Sequence, residues 1–158
     1  MEFIIEEPEK KIGQEIKANW DRVAKPLDGL GEFEGLLARI GAILGSPEID
    51  IAKKAVIVMC ADNGVVAEGI SQSGQEVTYQ VAESMGKRKS HVCLMAAQAN
   101  AKVIPIDVRI AAEETPAGVW NKKVSRGTKN FLKQPAMTEE EALAAIEAGI
   151  DSVKKCKE

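Results

Sequence analysis

Several residue types are scarce in this chain of 158 residues, and each scarcity excludes a class of function. Aromatic residues form 4% of the sequence and the formal net charge is −3, so stacking platforms and a surplus of lysine and arginine are both lacking. Because nucleic-acid binding depends on these features, we expect no nucleic-acid partner. One histidine and three cysteines without ligand spacing leave little material for a zinc site or a histidine-based triad. Neither a metal nor a cofactor is therefore expected.

Long hydrophobic runs are lacking as well. No apolar run approaches the length of a membrane-spanning helix, and the opening segment Met1–Glu7 is acidic where a signal peptide is basic. These features predict a cytoplasmic protein with no membrane association. Hydrophobic residues at 45% and charged residues at 28% are the ordinary composition of a globular chain that buries a core.

The first 50 residues carry a helical pattern. Apolar side chains recur at helical spacing between residues 9 and 23, and again from Leu30 to Leu44. The intervening segment Lys25–Gly31 contains a proline and two glycines, which end the first helix, and Asp28 is expected to cap the second. We interpret residues 1–50 as an N-terminal helical segment, part of a small helical domain.

A strand and a polar turn follow. The segment Ala55–Cys60 is continuously apolar and mostly β-branched, which predicts a strand buried on both faces. It leads into Asp62, Asn63 and Gly64, a turn at the carboxyl end of the strand, where open parallel α/β sheets bind ligands. Asp62 and Asn63 are therefore candidate site residues. A surface turn that merely reverses the chain explains the same residues equally well.

The next loop is distinguished by its lack of charge. The segment Gly69–Gln75 contains hydroxyl and carboxamide side chains, and no lysine or arginine occurs between Ala55 and Thr78. A phosphate group calls for cations or several backbone amides, whereas a neutral, flat ligand needs apolar walls and a few hydrogen bonds. The loop therefore favours a neutral ligand. A helix is predicted to begin at Glu76.

The remaining sequence predicts an α/β fold. Lys102–Val108 is the second strand, and the two helices that separate it from the first predict a parallel crossover. Pro105 withholds a ladder donor, which places this strand at an edge or at the end of its pairing. A short extended piece is possible within Val119–Ser125, and Thr138–Glu141 forms a capping box that begins the last helix. The predicted fold class is a Rossmann-like three-layer parallel sheet, partial in this chain, with an N-terminal helical appendage.

One further segment has two interpretations. Arg126–Asn130 combines two cations, a glycine, a hydroxyl and a carboxamide. These groups are suited either to order a loop or to meet an anionic substrate, and the sequence does not decide between the two.

Several ordered motifs resemble those of one enzyme family. They are Lys25–Glu34, Ala61–Val66, Gly69–Ser71, Gln75–Thr78, Pro105–Val108, Arg126–Phe131 and Pro135–Thr138. Through them the chain resembles the nicotinate-nucleotide–dimethylbenzimidazole phosphoribosyltransferases of cobalamin biosynthesis. The resemblance implies transfer of the phosphoribosyl group of nicotinate mononucleotide to 5,6-dimethylbenzimidazole or a related base, giving α-ribazole 5′-phosphate and nicotinate.

The resemblance also implies roles for individual residues. In the family the segment matching Ile70–Gln80 borders the base, and Ser73 is the residue best placed to face a ring nitrogen. The residues expected to bind substrate are Asp62, Asn63, Gly64, Ser71, Ser73, Gln75 and Gln80. No residue is expected to be catalytic, because the family's general-base glutamate and phosphate site have no match in this sequence.

Family members extend well beyond 158 residues, so the resemblance identifies this chain as the N-terminal half of such a glycosyltransferase. Residues 51–158 are then the N-terminal part of its nucleotide- and base-binding domain. The expected partners are the two substrates, the C-terminal half of the enzyme in cis or in trans, and a second copy in a homodimer. The half alone is expected to be inactive. A different function stays open, namely a non-catalytic α/β module that binds an aromatic base or a partner chain.

Overall fold

The computed structural model of the protein describes residues 5–157, so residues 1–4 and 158 of the two predicted segments lie outside it. The chain divides into two compact units, with unit 1 ending at Ala52 and unit 2 beginning at Lys53. The elements in chain order are α1 (Lys10–Asp21), α2 (Glu32–Leu44), β1 (Lys54–Ala61), a short 3-10 helix (Gly64–Glu68), α3 (Glu76–Gly86), α4 (His91–Gln98), β2 (Ala101–Arg109), β3 (Trp120–Asn121) and α5 (Glu139–Lys157). None of the helices within residues 5–157 combines the length and the apolarity needed to cross a membrane.

Unit 1 is a pair of helices that approach closely. Ile16 of α1 is buried against Gly41 of α2, where an added Cβ would collide with the Ile16 side chain. Glu34 is buried near the start of α2, accepts the Leu30 N–H at 3.1 Å and pairs with Lys25 at 2.7 Å. The Lys25 ammonium lowers the pKa of the Glu34 carboxyl. These contacts tie the connecting loop to α2.

The expectation that Asp28 caps α2 is wrong. The N-cap residue is Gly31, which has no capping side chain, and Asp28 has a φ of 52° and accepts a hydrogen bond from Lys17 of α1. The buried Glu34 already reaches back to a loop N–H at this end of the helix. Asp28 therefore pairs with Lys17 of α1 and takes no part in capping α2.

Unit 2 is a parallel sheet with the order β1-β2-β3. Side chains of β2 alternate between two apolar clusters, so that Val103 packs on the side of α3 and α4 while Ile104 and Ile106 pack on the side of α5. Helices thus cover both faces of β2. The predicted α/β fold with a three-layer parallel sheet is confirmed.

β2 is the central strand, so of the two alternatives for Pro105 the edge is wrong, whereas the end of the pairing holds on the side of β3. Asp107 directs its carbonyl away from β1 and accepts the Lys122 N–H at 2.9 Å. Pro105 lies two residues earlier, so its backbone nitrogen, which carries no hydrogen, faces the same side of the strand. Pairing with β3 begins only at Ile106, so the proline removes no hydrogen bond from the ladder.

β1 is not buried on both faces, contrary to prediction. Only Cys60 of its residues is buried, while Val56 and Met59 are 36% and 44% exposed. Within residues 5–157 the strand pairs with β2 alone and therefore lies at the edge of the sheet. A continuous apolar run suits a strand with neighbours on every side, but the described residues cover β1 only partly.

Candidate functional site

A cavity of about 350 Å³ opens where β1 ends and the uncharged loop begins. Its walls come from the carboxyl end of β1, the polar turn, the loop and one side of α3. The predicted substrate-binding residues that line it are Asp62, Asn63, Ser71, Ser73 and Gln75. The structure therefore brings together groups that are as much as 13 positions apart in the sequence, counting from Asp62 to Gln75.

Two of the predicted residues do not line the cavity. Gln80 is exposed on α3, outside the stripe formed by Val77, Val81 and Met85, which recur every four positions and border the cavity. Gly64 instead meets the loop after β3, where an added Cβ would collide with the Thr128 carbonyl oxygen. The roles of both residues in substrate binding stay predictions.

Asp62 is the anchor of the polar turn. It is 3% exposed, and its Oδ2 accepts the Ala111 N–H at 2.7 Å. Its backbone N–H donates to the Arg109 carbonyl at 3.1 Å, and its carbonyl accepts the Thr128 N–H at 2.9 Å. The turn is therefore fixed to the end of β2 and to the loop after β3, which gives the adjoining cavity a rigid wall.

Thr128 was missed at the level of the sequence. Its hydroxyl accepts the Gly64 N–H at 3.0 Å, so it holds the turn without lining the cavity itself. Of the two interpretations of Arg126–Asn130, these contacts favour the one in which the segment orders a loop. The role of Thr128 depends on a contact between residues 64 positions apart in the sequence, so no local pattern could have revealed it.

Several polar groups at the cavity keep hydrogen-bonding capacity. Gln75 uses its Nε2 to donate to the Asn63 carbonyl at 3.2 Å, which leaves its amide oxygen free among the contacts of residues 5–157. The side chains of Asn63 and Ser73 are exposed and make no hydrogen bond to any other described residue. These donors and acceptors are available to a ligand.

The apolar part of the cavity is rich in sulfur. Cys60 and Met85 are 6% and 4% exposed and line the inner wall, together with Met59 at the strand edge. Burial raises the pKa of the Cys60 thiol, which stays neutral. Polarizable sulfur atoms make favourable contacts with aromatic rings, so this wall suits a flat aromatic ligand.

The electrostatics of the cavity also favour a neutral ligand. Among the described residues that line it, Asp62 is the only one with a formal charge, and no lysine or arginine is present. The carboxylate of Asp62 is already committed to the Ala111 N–H. A phosphate would find no cation here.

One group of acidic side chains elsewhere has the spacing of metal ligands. Asp21, Asp28 and Glu34 cluster in unit 1, within the part of the chain that the structure describes. Lys17 donates to all three, at 3.0 Å to Asp21 and 3.4 Å to Glu34. Lys17 therefore offsets part of the charge of this cluster, and Lys25 pairs with Glu34 as well.

Comparison with known proteins identifies the family. A family model described as Phosphoribosyltransferase matches residues 5–158. A relative from Clostridium tetani named nicotinate-nucleotide–dimethylbenzimidazole phosphoribosyltransferase is 39% identical over 143 residues, covering 89% of this chain and 40% of the relative. The chain belongs to the nicotinate-nucleotide–dimethylbenzimidazole phosphoribosyltransferase family.

Other members of this phosphoribosyltransferase family agree in extent. The relative of the same name from Clostridium acetobutylicum is 36% identical over 150 residues, covering 95% of this chain and 43% of the relative. The crystal structure of CobT from Thermus thermophilus superposes with a TM-score of 0.85 at 33% identity, covering 92% of this chain and 44% of that one. The chain is the N-terminal part of such a phosphoribosyltransferase and spans about two fifths of the length of these relatives.

Proposed function

We propose that the complete protein transfers the phosphoribosyl group of nicotinate mononucleotide to 5,6-dimethylbenzimidazole or a related base. The bond between C1′ and the pyridinium nitrogen breaks, a bond between C1′ and a base nitrogen forms, and the base loses its N–H proton. The products are α-ribazole 5′-phosphate and nicotinate. Because the departing ring becomes neutral as it leaves, the enzyme mainly has to orient two substrates and accept one proton.

The observation that carries this proposal is the composition of the cavity at the end of β1. Its volume of about 350 Å³ lies near the lower end of small-molecule sites, which span roughly 300–1,000 Å³. One side is apolar and sulfur-rich, and the other presents the side chains of Asn63, Ser73 and Gln75. A neutral bicyclic base with one donor and one acceptor nitrogen matches this division.

Within the reaction, the 158 residues hold the base and do not transfer the phosphoribosyl group alone. The cavity has no cation for the phosphate, and its one carboxylate, that of Asp62, is 3% exposed and bound to Ala111. The phosphate site and the proton acceptor therefore come from the remaining part of the enzyme, in cis or in trans. The homodimer expected from the sequence stays a prediction.

The free edge of β1 supports the need for a further part of the enzyme. In the register with β2, the even-numbered residues of β1 turn their backbone N–H and C=O groups toward β2. Asp62, which follows β1, continues this alternation, because its N–H donates to the Arg109 carbonyl. Ile57 and Met59 therefore turn theirs outward. Parallel sheets are normally covered on all sides, and a further parallel strand would satisfy these groups.

An apolar groove flanks the same edge on the side of α5. It has a volume of about 560 Å³ and lies between Ile57, Met59 and the exposed side chains of Ile146 and Val153. Met59 borders both this groove and the base cavity. A segment that follows the matched region in the relatives would cover the groove and close the open side of the cavity in one step.

The test begins with calorimetry on the 158-residue chain. We expect it to bind 5,6-dimethylbenzimidazole at one site, to bind nicotinate mononucleotide much more weakly, and to release no nicotinate from a mixture of the two. A chain with Ser73→Ala and Gln75→Ala should lose most base binding with an unchanged melting temperature. Absence of base binding, or nicotinate release by the chain alone, would contradict the proposal.

The second part of the test concerns completion. Native mass followed by denaturing mass shows whether a second polypeptide, recognisable by its sequence as the remaining part of the family, accompanies the chain. Ile146→Lys with Val153→Lys should abolish that association, whereas Leu94→Lys with Met95→Lys on the exposed side of α4 should not. Base binding without phosphoribosyl transfer by the completed enzyme would favour the non-catalytic module instead.

A further inference from the structure

Arg109 is a buried cation that the proposed reaction does not use. It ends β2, is 4% exposed, and its Nη1 has no hydrogen-bond partner among the described residues. Its Nε and Nη2 both donate to the Gly127 carbonyl, at 3.1 Å and 2.9 Å. The guanidinium therefore holds a single carbonyl oxygen of the loop after β3 with two parallel donors.

Gly127 returns the contact through its backbone. Its N–H donates to the Arg109 carbonyl at 3.0 Å, and its φ of +64° is the left-handed conformation that glycine adopts without strain. Arg109 thus forms hydrogen bonds to Gly127 through both its side chain and its main chain. The position of this loop relative to the end of β2 is fixed at two points.

The next residue along the loop carries the restraint to the cavity. Thr128 donates its N–H to the Asp62 carbonyl at 2.9 Å and accepts the Gly64 N–H on its hydroxyl at 3.0 Å. Gln75 is in turn attached to this turn through the Asn63 carbonyl at 3.2 Å. Hydrogen bonds, linked by the peptide bonds between neighbouring residues, therefore connect the guanidinium to the cavity lining.

The energetics argue that this arginine acts mainly through geometry. Its one ion pair among the described residues, to Glu141, has a length of 3.4 Å, and one of its buried nitrogens is unsatisfied. A buried charge with an unsatisfied donor contributes little net stability, because desolvation offsets the attraction. What the guanidinium does provide is a planar, two-pronged fixation that a lysine ammonium cannot reproduce.

We propose that Arg109 is a positioning residue for the base site, which holds the loop against the turn Asp62–Gly64 and thereby orients the groups that meet the base. The proposal rests on the proposed function. Arg109 does not line the cavity itself and acts through Gly127 and Thr128. Its effect should therefore fall on base affinity more than on the folding of the sheet.

The test compares Arg109→Lys and Arg109→Met with the unaltered chain. We expect both variants to bind 5,6-dimethylbenzimidazole about tenfold more weakly, as measured by calorimetry, which corresponds to the net contribution of about one hydrogen bond. Arg109→Ala should regain affinity in millimolar ethylguanidinium but not in ethylammonium. Hydrogen exchange should accelerate at the Gly64 and Thr128 amides while the ladder between β1 and β2 stays protected.

Arg126→Met is the matched control. Arg126 precedes Gly127 in the same loop but is exposed and pairs with the exposed Glu113, so its loss removes the same charge without touching the path to the cavity. We expect base affinity to be unchanged. An equal loss of affinity in Arg126→Met would overturn the proposal, because the effect would then be one of charge alone.

The outcomes separate this proposal from the proposed function. If the unaltered chain binds the base and the Arg109 variants bind it equally well, the positioning role is wrong and the function stands. If the variants lose protection across the whole sheet, Arg109 stabilises the fold and the positioning role is again wrong. If the unaltered chain does not bind the base, both proposals fail.

Discussion

β1 and β2 are built from the same kinds of residues and yet have opposite environments. Both are apolar, and they pair residue by residue from Lys54 and Ala101 onward. Residues 103–110 of β2 and its extension are all buried, whereas Cys60 is the only buried residue of β1. An apolar run therefore makes a strand capable of burial, and the elements that pack around the strand decide how much of it is buried.

The carboxyl ends of the two strands differ in the opposite sense. Near the carboxyl end of β2, Asp107 is fully buried, accepts the Ile110 N–H at 2.9 Å and the Thr115 hydroxyl at 2.6 Å, and pairs with Lys123 at 3.2 Å. These contacts fill the space at the end of the strand. After β1, Asp62 closes only one wall of an open cavity. The buried strand β2 therefore ends in a closed cluster of polar contacts around Asp107, whereas the exposed strand β1 ends at an open cavity.

The greatest loss of stability should come from removing Asp107, the centre of the polar cluster at the end of β2. Asp107→Ala leaves the Lys123 ammonium, whose side chain is 13% exposed, without its carboxylate. Loss of one partner of a buried pair should lower the free energy of unfolding of unit 2 by about 3–5 kcal/mol. Urea unfolding followed by Trp120 fluorescence, in a Trp20→Phe background, measures unit 2 alone.

The control for this prediction is a surface ion pair of the same kind. Asp151 pairs with Lys122 at 3.0 Å, but both side chains are substantially exposed. Asp151→Ala should therefore cost less than about 1 kcal/mol. Similar losses for the two variants would mean that the polar cluster around Asp107 contributes no more to stability than a surface ion pair.

A smaller effect should distinguish the strands themselves. Val56 of β1 and Val103 of β2 are direct partners across the ladder, yet they are 36% and 3% exposed. Val103→Ala should lower the free energy of unfolding by about 2–3 kcal/mol, since it removes two buried methyl groups and leaves a cavity. Val56→Ala should cost less than about 1 kcal/mol in this chain.

The same two valines should behave differently in the completed enzyme. If the remaining part of the enzyme covers β1, the cost of Val56→Ala should rise there toward that of Val103→Ala. Urea unfolding of the completed enzyme, followed by hydrogen exchange at the amides of β1 and β2, provides the measurement. An unchanged, small cost would show that β1 stays at the edge of the sheet.

The next effect concerns the open end of β1. Ser73→Ala and Gln75→Ala should each raise the KM for the base in the completed enzyme by about five- to tenfold, which corresponds to one lost hydrogen bond. The KM for nicotinate mononucleotide should change much less, because the cavity has no cation for its phosphate. Steady-state kinetics with each substrate varied in turn provides the measurement. Equal effects on both KM values would refute the assignment of the cavity to the base.

Local patterns in the sequence predicted much of this fold correctly. The helix beginning at Thr138 is an example, because Glu141 donates its N–H to the Thr138 hydroxyl at 3.2 Å and returns a carboxylate to the Thr138 N–H at 2.9 Å. Such a capping box is local in sequence and needs no tertiary contact. The uncharged loop was predicted for the same reason, because its character lies in its own residue types.

The errors share a different physical origin. Pro105 was assigned to an edge or to the end of the pairing because it lacks an N–H, and only the register with β3 decides between the two. The burial of β1 depends on what lies beyond it. Thr128 and Arg109 act on the turn through contacts with residues far away in sequence, and no local pattern predicts those. Tertiary pairing therefore decides what the local sequence leaves undetermined.

The smallest expected effect probes the one buried residue of β1. Burial raises the pKa of the Cys60 thiol above its ordinary value, so in the folded chain it should react with a disulfide reagent more slowly than the less buried Cys156 at the same pH. Because the folded thiol holds its proton after the unfolded one has lost it, stability should fall slightly as pH rises above about 8.5. Single-cysteine variants labelled across a pH series measure both rates.

A saturating base makes this measurement decisive for the comparison. Cys60 lines the cavity that we propose for the base, so 5,6-dimethylbenzimidazole should slow its labelling further while leaving Cys156 unaffected. Protection of Cys60 would show that the single buried position of β1 is also a wall of the site, which links the partial burial of this strand to ligand binding. Equal labelling with and without base would separate the two, and the low exposure of Cys60 would then reflect only its packing in the apolar cluster with α3 and α4.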